Sequence, residues 1–199
     1  MESLINKSGH KRIFIGIRIP QNICEYYYDL VVNLSKSNKY VKPIIPKNIH
    51  LTLKFIGTIE IKKLEKMKMV LEKELKNVKC FEYNIKDRLD GFPRFKNARI
   101  LYGVIGNGSN DIENIYKRIE NSISFLGLKT EKKKFVPHIT IARLKNDVDL
   151  SLIGIEKSVL KDFKKIKCDK ITIYESILSP SGADYVVEKE IYLMDTKEL

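Results

Sequence analysis

Residues 50–53 read His-Leu-Thr-Leu, and residues 138–141 repeat the pattern as His-Ile-Thr-Ile. Both tetrapeptides alternate polar and apolar side chains, which is the period of a β-strand with one buried face. In each copy the histidine and the threonine therefore share one face, and the two apolar residues share the other. Because duplicated units often assemble one site between them, we expect both strands to line a single cleft.

Strand-like and helix-like segments alternate outward from the two motifs. The motif strands are predicted at 49–56, stopped by Gly57, and at 137–144. Apolar residues recur at helical spacing in three segments, 21–36, 62–76 and 112–126, and a weaker helical pattern covers 150–164. Further strands are predicted at 12–19, 81–89, 98–105, 170–178 and 185–192. This interleaving, without long linkers, predicts a layered α+β or α/β domain.

Charge and composition narrow the classes of function. The 199 residues include 37 Lys and Arg against 25 Asp and Glu, a net charge of +12. Such an excess favours polyanionic partners, although an AT-rich genome also enriches lysine. No apolar run approaches the roughly 20 residues that cross a bilayer, and the amino terminus does not resemble a signal peptide. We therefore expect a cytoplasmic protein that does not contact a membrane.

The three cysteines, Cys24, Cys80 and Cys168, are widely spaced. An odd count without a Cys-x-x-Cys pair argues against a disulfide framework and against a zinc site. We expect buried free thiols, no metal site and no cofactor.

Two His-x-Thr strands suit acid–base chemistry at phosphorus. Histidine has an unperturbed pKa of about 6.5, so near neutral pH one ring can accept a proton while another donates one. The threonine hydroxyls can donate hydrogen bonds to non-bridging phosphate oxygens. We predict His50, Thr52, His138 and Thr140 as catalytic residues that need no metal.

Beyond the motifs, the chain resembles the two-histidine (2H) phosphoesterase superfamily, and within it the RNA 2′,3′-cyclic phosphodiesterases once called 2′-5′ RNA ligases, the LigT-like branch. The resemblance runs from Arg12 over nearly the whole chain, through RIFIGIRIP (12–20), NIHLTLKFIG (48–57), GFPRFKNARILYG (91–103), FVPHITIARLK (135–145) and YESILSPSGADYVV (174–187). It implies an α+β fold that is a bilobal pseudo-twofold duplication. In that fold, antiparallel sheets line a central cleft and helices pack outside. Residues 12–199 would form this single domain, and residues 1–11 a flexible extension.

The resemblance also implies an activity. A 2′,3′-cyclic phosphate at an RNA end would be hydrolysed to a 2′-phosphomonoester, with His50 as proton donor to the leaving 3′-oxygen and His138 as proton acceptor from water. The partner would be RNA with a cyclic phosphate terminus, including tRNA fragments, and the protein would be a monomer. Family members are also associated with reversible 2′-5′ ligation of tRNA halves, a reaction that bulk water opposes.

Three further residues are candidates for substrate binding. Lys54 has the same strand parity as His50 and Thr52, so it is a candidate to face the phosphate, with a solvent-exposed lysine as the alternative. By the resemblance Arg143 is a candidate contact to the phosphate or to the RNA backbone, but its parity is opposite to that of His138, so it reaches the cleft only if the strand ends or bulges. Phe92 lies in a Gly-Phe-Pro turn and is a candidate to stack on a base, with packing in the core or the loop as the alternative. For Arg99 the pattern leaves both a structural ion pair and a phosphate contact open.

Three alternatives remain open at this level. A different 2H enzyme would act on small cyclic phosphates, such as ADP-ribose derivatives, or on a 3′-oligouridine tail. A nucleotide- or RNA-binding module would keep the cleft without turnover, which two complete His-x-Thr copies argue against. A metal-dependent nuclease would need a carboxylate cluster that does not accompany the histidines.

Overall fold

The computed structural model describes residues 9–128, 134–155, 160–180 and 182–195. Its α-helices are α1 (Gln21–Ser37), α2 (Ile61–Leu75) and α3 (Ser109–Ile123). Its strands are β1 (His10–Arg18), β2 (Val41–Pro43), β3 (His50–Glu60), β4 (Phe81–Phe92), β5 (Ala98–Ile105), β6 (His138–Val148), β7 (Phe163–Cys168), β8 (Lys170–Ser179) and β9 (Gly182–Tyr192). The α+β prediction is confirmed, and the α/β alternative is wrong, because every strand pair within the sheet is antiparallel.

The strand order shows the predicted duplication. One sheet runs β7-β4-β5-β6-β3-β1-β8-β9, and β2 pairs on the side with β6. The two motif strands, β3 and β6, are the central neighbours, and each has three further strands on its outer side. Motif strand β3 pairs with β1, and α1 lies between these two strands in the sequence. Motif strand β6 pairs with β5, and α3 lies between them in the same way. The chain therefore forms two similar halves that join at the centre of the sheet.

The helices cover the side of the sheet on which the apolar faces of the motif strands lie. Helix α1 contacts β6, α3 contacts β3, and α2 packs against α3. Leu51 and Ile139 of the motif strands are fully buried there, in one hydrophobic cluster with residues of all three helices such as Val31, Leu64 and Ile115. Since α1 and α3 each pack on the motif strand of the other half, the two halves share one hydrophobic core.

Several boundaries differ from the sequence predictions. Gly57 does not stop β3, because it takes a positive φ of 79° inside the strand, a conformation that glycine adopts without strain. The helix expected over 150–164 is wrong: residues Leu150–Ile153 form a 3₁₀ turn and β7 begins at Phe163, while residues 156–159 lie outside the described ranges. Strands β2 and β7 were not predicted, since both are short and lack clear alternation.

The expected boundary of the amino-terminal extension also shifts. Strand β1 begins at His10, two residues before the predicted domain start, and Lys11 forms ion pairs with Glu175 and Glu188. Residues 1–8 of the predicted extension lie outside the described residues. None of the described helices is long and apolar enough to span a membrane.

Candidate active site

The two motifs meet where β3 and β6 pair. Leu51 and Ile139 are partners in the antiparallel register, so His50 lies across from Thr140, and Thr52 lies across from His138. Cross-strand neighbours of this kind have Cβ atoms about 5 Å apart. In both motifs the histidine and the threonine are partly exposed and the intervening apolar residue is fully buried. The structure thus brings the four predicted catalytic residues together on one face of the sheet.

A cleft of about 250 Å³ opens on this face. The residues that line it include His50, Thr52, Thr140 and Arg143 from the two motif strands, together with Phe14 of β1 and Tyr185 of β9. His138 lies on the same face beside this lining, and its charge is close enough to act on the titration of His50. The cleft is therefore polar at its centre and aromatic at its sides.

Both imidazoles are oriented by the same hydrogen bond. Nδ1 of His50 lies 2.8 Å from the carbonyl oxygen of Asn48, and Nδ1 of His138 lies 2.7 Å from the carbonyl oxygen of Val136. A carbonyl oxygen can only accept, so Nδ1 carries the proton in both rings. The neutral rings therefore keep the lone pair on Nε2, the nitrogen that is free to exchange a proton with a ligand.

Burial makes both rings harder to protonate. It lowers the pKa of His50 to about 4. The hydrogen bond to Asn48 opposes this shift, and the nearby His138 adds to it. Burial also lowers the pKa of His138, opposed by the bond to Val136. In the unliganded cleft both imidazoles are thus neutral near pH 7. An anion bound between them favours the protonated form and raises both pKa values.

Aromatic side chains hold the two rings from the sides. The ring of His50 lies 4.6 Å from that of Phe14 and 5.2 Å from that of Tyr185. The ring of His138 lies 4.9 Å from that of Phe92 and 5.2 Å from that of Tyr102. These contacts exclude water from the flanks of both imidazoles, which is the physical cause of their lowered pKa values.

A β-bulge changes which side chains of β3 face the cleft. Ile15 of β1 pairs with Lys54, whereas its neighbour Gly16 pairs with Thr52, which leaves Leu53 as an extra residue. The extra residue reverses the alternation beyond this point. Leu53 and Lys54 are consequently both buried, and the next residue of the strand returns to the cleft side.

The hypothesis that Lys54 faces the phosphate is therefore wrong. Its side chain is 2% exposed, lies on the helix side of the sheet, and forms an ion pair of 2.5 Å with Glu120 of α3. The place that strict alternation assigns to Lys54 is taken by Phe55, which lines the cleft and is 46% exposed.

The second motif strand contains the same bulge. The pairing of β6 with β5 skips Ile141, between Thr140 and Ala142. Arg143 thereby moves to the face of Thr140 and lines the cleft. Arg143 and Phe55 each stand five residues after the histidine of their motif, so the internal repeat itself was a signal that would have placed Phe55 in the cleft.

Two other candidates have partners in the structure. Phe92 stacks on Tyr102 with ring centroids 4.4 Å apart, so one face of its ring is covered, and its role in base stacking stays a prediction. Arg99 is exposed and forms an ion pair with Asp147, 2.5 Å from Nε to Oδ1, which is the structural alternative left open by the sequence.

The cysteines and potential metal ligands lie elsewhere. All three cysteines are free; Cys24 and Cys168 are buried, as expected, and Cys80 is half-buried. Burial raises the pKa of Cys24 to about 11 and that of Cys168 to about 12, so both stay protonated. Within the described ranges, no three His, Cys, Asp or Glu side chains come together as a metal site.

An α+β fold of two similar halves, with a His-x-Thr strand from each half at one central cleft, defines the class of two-histidine phosphoesterases. Residues 39–176 match the model of the 2′-5′ RNA ligase superfamily. The chain belongs to this family.

Proteins of known name support the assignment over nearly the full length. The RNA 2′,3′-cyclic phosphodiesterase of Methanocaldococcus jannaschii is 32% identical over 181 residues, which cover 90% of this chain and 99% of that protein. The protein of the same name from Aquifex aeolicus is 31% identical over 189 residues, 92% of this chain and 97% of its own length.

Solved structures confirm the fold. The crystal structure of TT0787 of Thermus thermophilus superposes with a TM-score of 0.75 at 18% identity and covers 93% of this chain and 99% of its own. Escherichia coli LigT in complex with 3′-AMP gives a TM-score of 0.71 at 16% identity, with the same coverage.

Proposed function

We propose that this protein hydrolyses the 2′,3′-cyclic phosphate at RNA ends to a 2′-phosphomonoester by metal-independent acid–base catalysis between His50 and His138. The observation that carries the proposal is the matched pair of imidazoles. Each presents Nε2 from one of two adjacent strands, because each Nδ1 is bound to a main-chain carbonyl. In-line displacement at phosphorus needs one proton acceptor and one proton donor on opposite sides of the phosphate.

The class of enzyme, a phosphodiesterase, is confirmed by relatives that carry the name RNA 2′,3′-cyclic phosphodiesterase at 29–32% identity. RNA as the substrate is further supported by the net charge of +12, because cations attract the phosphate backbone. The proposed partners are RNAs with a cyclic phosphate terminus, tRNA fragments included, and the proposed working form is a monomer.

The reaction is balanced by the two histidines. Nε2 of His138 accepts a proton from water while the water oxygen bonds to phosphorus. The bond from phosphorus to the 3′-oxygen breaks, and His50 gives the proton on its Nε2 to that oxygen. The products are a 2′-phosphate and a free 3′-hydroxyl. After one turnover His138 is protonated and His50 is neutral. Proton exchange with water then restores the starting state.

The role of His50 as donor sets a condition. With its pKa at about 4 in the unliganded cleft, this ring is neutral near pH 7. It can act as the acid only when the bound phosphate anion raises its pKa, so the protonated state arises with substrate binding. The exchange of the two roles, with His50 as base, is the competing assignment.

The remaining cleft groups suit the charge that develops on the phosphate. The hydroxyls of Thr52 and Thr140 can each donate a hydrogen bond to a non-bridging oxygen, and the guanidinium of Arg143 can bind two such oxygens at once. Preorganised donors of this kind stabilise a transition state more than a ground state.

The test uses a defined oligonucleotide that ends in a 2′,3′-cyclic phosphate, incubated with the protein in excess EDTA. The expected product is the 2′-phosphate isomer, identified by phosphorus NMR against authentic 2′- and 3′-phosphate standards. Formation of the 3′-phosphate would overturn the regiochemistry, and loss of activity on chelation would overturn the metal-independent mechanism.

The reverse reaction, 2′-5′ ligation, uses the same groups and is a second candidate because the family model bears that name. Two RNA halves, one ending in a cyclic phosphate and one with a 5′-hydroxyl, provide the assay. We expect hydrolysis to dominate, because water competes with the hydroxyl at a far higher concentration.

A further inference from the structure

A second cavity of about 210 Å³ adjoins the active-site cleft. His50 and Tyr185 line both cavities, so this pair of side chains forms the wall between them. The other polar lining of the second cavity includes Arg18 at the end of β1, Gln21 at the start of α1, and Lys47 just before β3. This cavity is not needed for the acid–base chemistry described above.

Arg18 is placed next to the catalytic ring by strand pairing. It is the partner of His50 in the antiparallel register of β1 and β3, so both side chains project from the same face. The equivalent partner of His138 in the other half is Val104 of β5, which has no charge. Strand pairing therefore places a cation opposite His50 and an apolar residue opposite His138, which breaks the symmetry of the site.

The charge of Arg18 acts inside the second cavity. It lowers the pKa of Tyr174 and of Cys24, both of which line that cavity, although burial dominates and raises the two values. Among the described residues of the lining, none carries a carboxylate. Lys47 pairs with Asp184 at 2.6 Å. The charge of Arg18 also lowers the pKa of Glu190, but that carboxylate lies outside the lining and pairs with Lys170 at 2.9 Å, so Arg18 is the main cation for a ligand in the cavity.

We propose that this second cavity, with Arg18 as its principal cation, binds the 5′-phosphate of the terminal nucleotide, the group that links it to the rest of the RNA strand. The inference rests on the proposed function and on His50 as the acid. The leaving 3′-oxygen belongs to the ribose, so the ribose must lie on the side of the proton donor. The phosphate on the other end of that ribose then falls beyond His50, where Arg18 lies.

This arrangement makes the enzyme selective for strands over bare nucleosides. A nucleoside 2′,3′-cyclic phosphate fills only the catalytic cleft, whereas a 5′-phosphorylated one fills both cavities. One charge-assisted hydrogen bond changes affinity by about tenfold or more. The anion has two possible sources, a terminal 5′-monophosphate or a phosphodiester within a chain, and both present the same non-bridging oxygens.

The experiment compares kcat/KM for three substrates: adenosine 2′,3′-cyclic phosphate, its 5′-phosphorylated form, and the dinucleotide ApA with a 2′,3′-cyclic phosphate. We expect about a tenfold preference of the wild-type protein for the second and third substrates over the first. In Arg18→Gln the ratio of kcat/KM for the second or third substrate to kcat/KM for the first should fall to about one. The matched control is Arg118→Gln, an exposed arginine of α3 that pairs with Glu74 and should retain the full preference. A preference for the dinucleotide alone would identify the phosphodiester as the ligand.

The outcomes separate the two proposals. If the wild-type protein opens none of the substrates, the proposed function fails. If it opens all three equally, only the Arg18 subsite fails. An equal loss in Arg18→Gln on all substrates would assign Arg18 to the chemistry at His50 and overturn the subsite. Lys47→Gln provides a second variant, in which we expect a smaller fall of the same ratio. An unchanged ratio in both folded variants would also overturn the Arg18 subsite.

Discussion

Leu51 of β3 pairs with Ile139 of β6, and each lies between the histidine and the threonine of its motif. Both residues are fully buried on the helix side of the sheet, so the polar residues on either side of them point to the cleft. In the proposed mechanism a phosphate binds over this pair, with one imidazole from each half on either side of it.

The first prediction concerns the two histidines. His50→Ala and His138→Ala should each lower kcat by at least about a hundredfold, because each removes one of the two proton transfers. The double variant should be only slightly slower than either single one, since both groups serve the same step. Turnover of a cyclic phosphate RNA gives the rates, and thermal unfolding followed by circular dichroism controls for the fold. Near-normal turnover in either folded variant would remove that histidine from the mechanism.

The second prediction follows from the lowered pKa of His50. The unfolded chain binds this proton with a pKa of 6.5 and the folded chain with a pKa of about 4. Between these values the unfolded state holds more protons, so the free energy of unfolding should fall as the pH falls from 6.5 toward 4, by up to about 1.4 kcal/mol per pH unit. Urea unfolding at several pH values measures this slope.

The control for that slope is His50→Asn, which removes one of the two histidines with a lowered pKa and should reduce the slope between pH 6.5 and 5 to the part that His138 contributes. Glu188 and Glu190 have pKa values lowered from 4.5, so they change the free energy of unfolding mainly at pH values below this range. An equally steep slope in His50→Asn would assign the effect to other groups.

The third prediction compares two exposed arginines. Arg143→Gln should lower kcat/KM by about 10- to 100-fold, because a bidentate, charge-assisted contact to the phosphate is lost. Arg99→Gln removes the same charge from the surface, but Arg99 lies outside the cleft, where it pairs with Asp147. It should change kcat/KM by less than about threefold. Similar losses in both variants would show a general effect of net charge instead.

The fourth prediction concerns Lys54 and its partner Glu120. Lys54→Met leaves a carboxylate without its cation at the buried contact, and should destabilise the protein by about 3–5 kcal/mol. The double variant Lys54→Met with Glu120→Leu should recover most of this loss, because both charges are removed. Chemical unfolding measures the stability, and kcat of the folded double variant should stay near the wild-type value. A large loss of kcat without destabilisation would return Lys54 to the phosphate site.

Local periodicity in the amino-acid sequence was enough to predict the alternation of the two His-x-Thr strands, the three amphipathic helices and the duplicated order of elements. Side-chain direction repeats every two residues in a strand and every 3.6 in a helix, so both periods can be read without any tertiary contact. From that alone His50 and Thr52 could be assigned to one face of their strand, and His138 and Thr140 to one face of theirs. The boundaries of those helices are within three residues of the prediction.

The segments after the two motifs depended instead on tertiary contacts. The extra residues Leu53 and Ile141 arise from pairing with β1 and β5, so no single-strand period could show them. They bury Lys54 and bring Phe55 and Arg143 to the cleft. Strand order likewise placed Arg18 and Tyr185 beside His50, because those neighbours come from strands distant in sequence, and contacts between strands depend on the whole sheet.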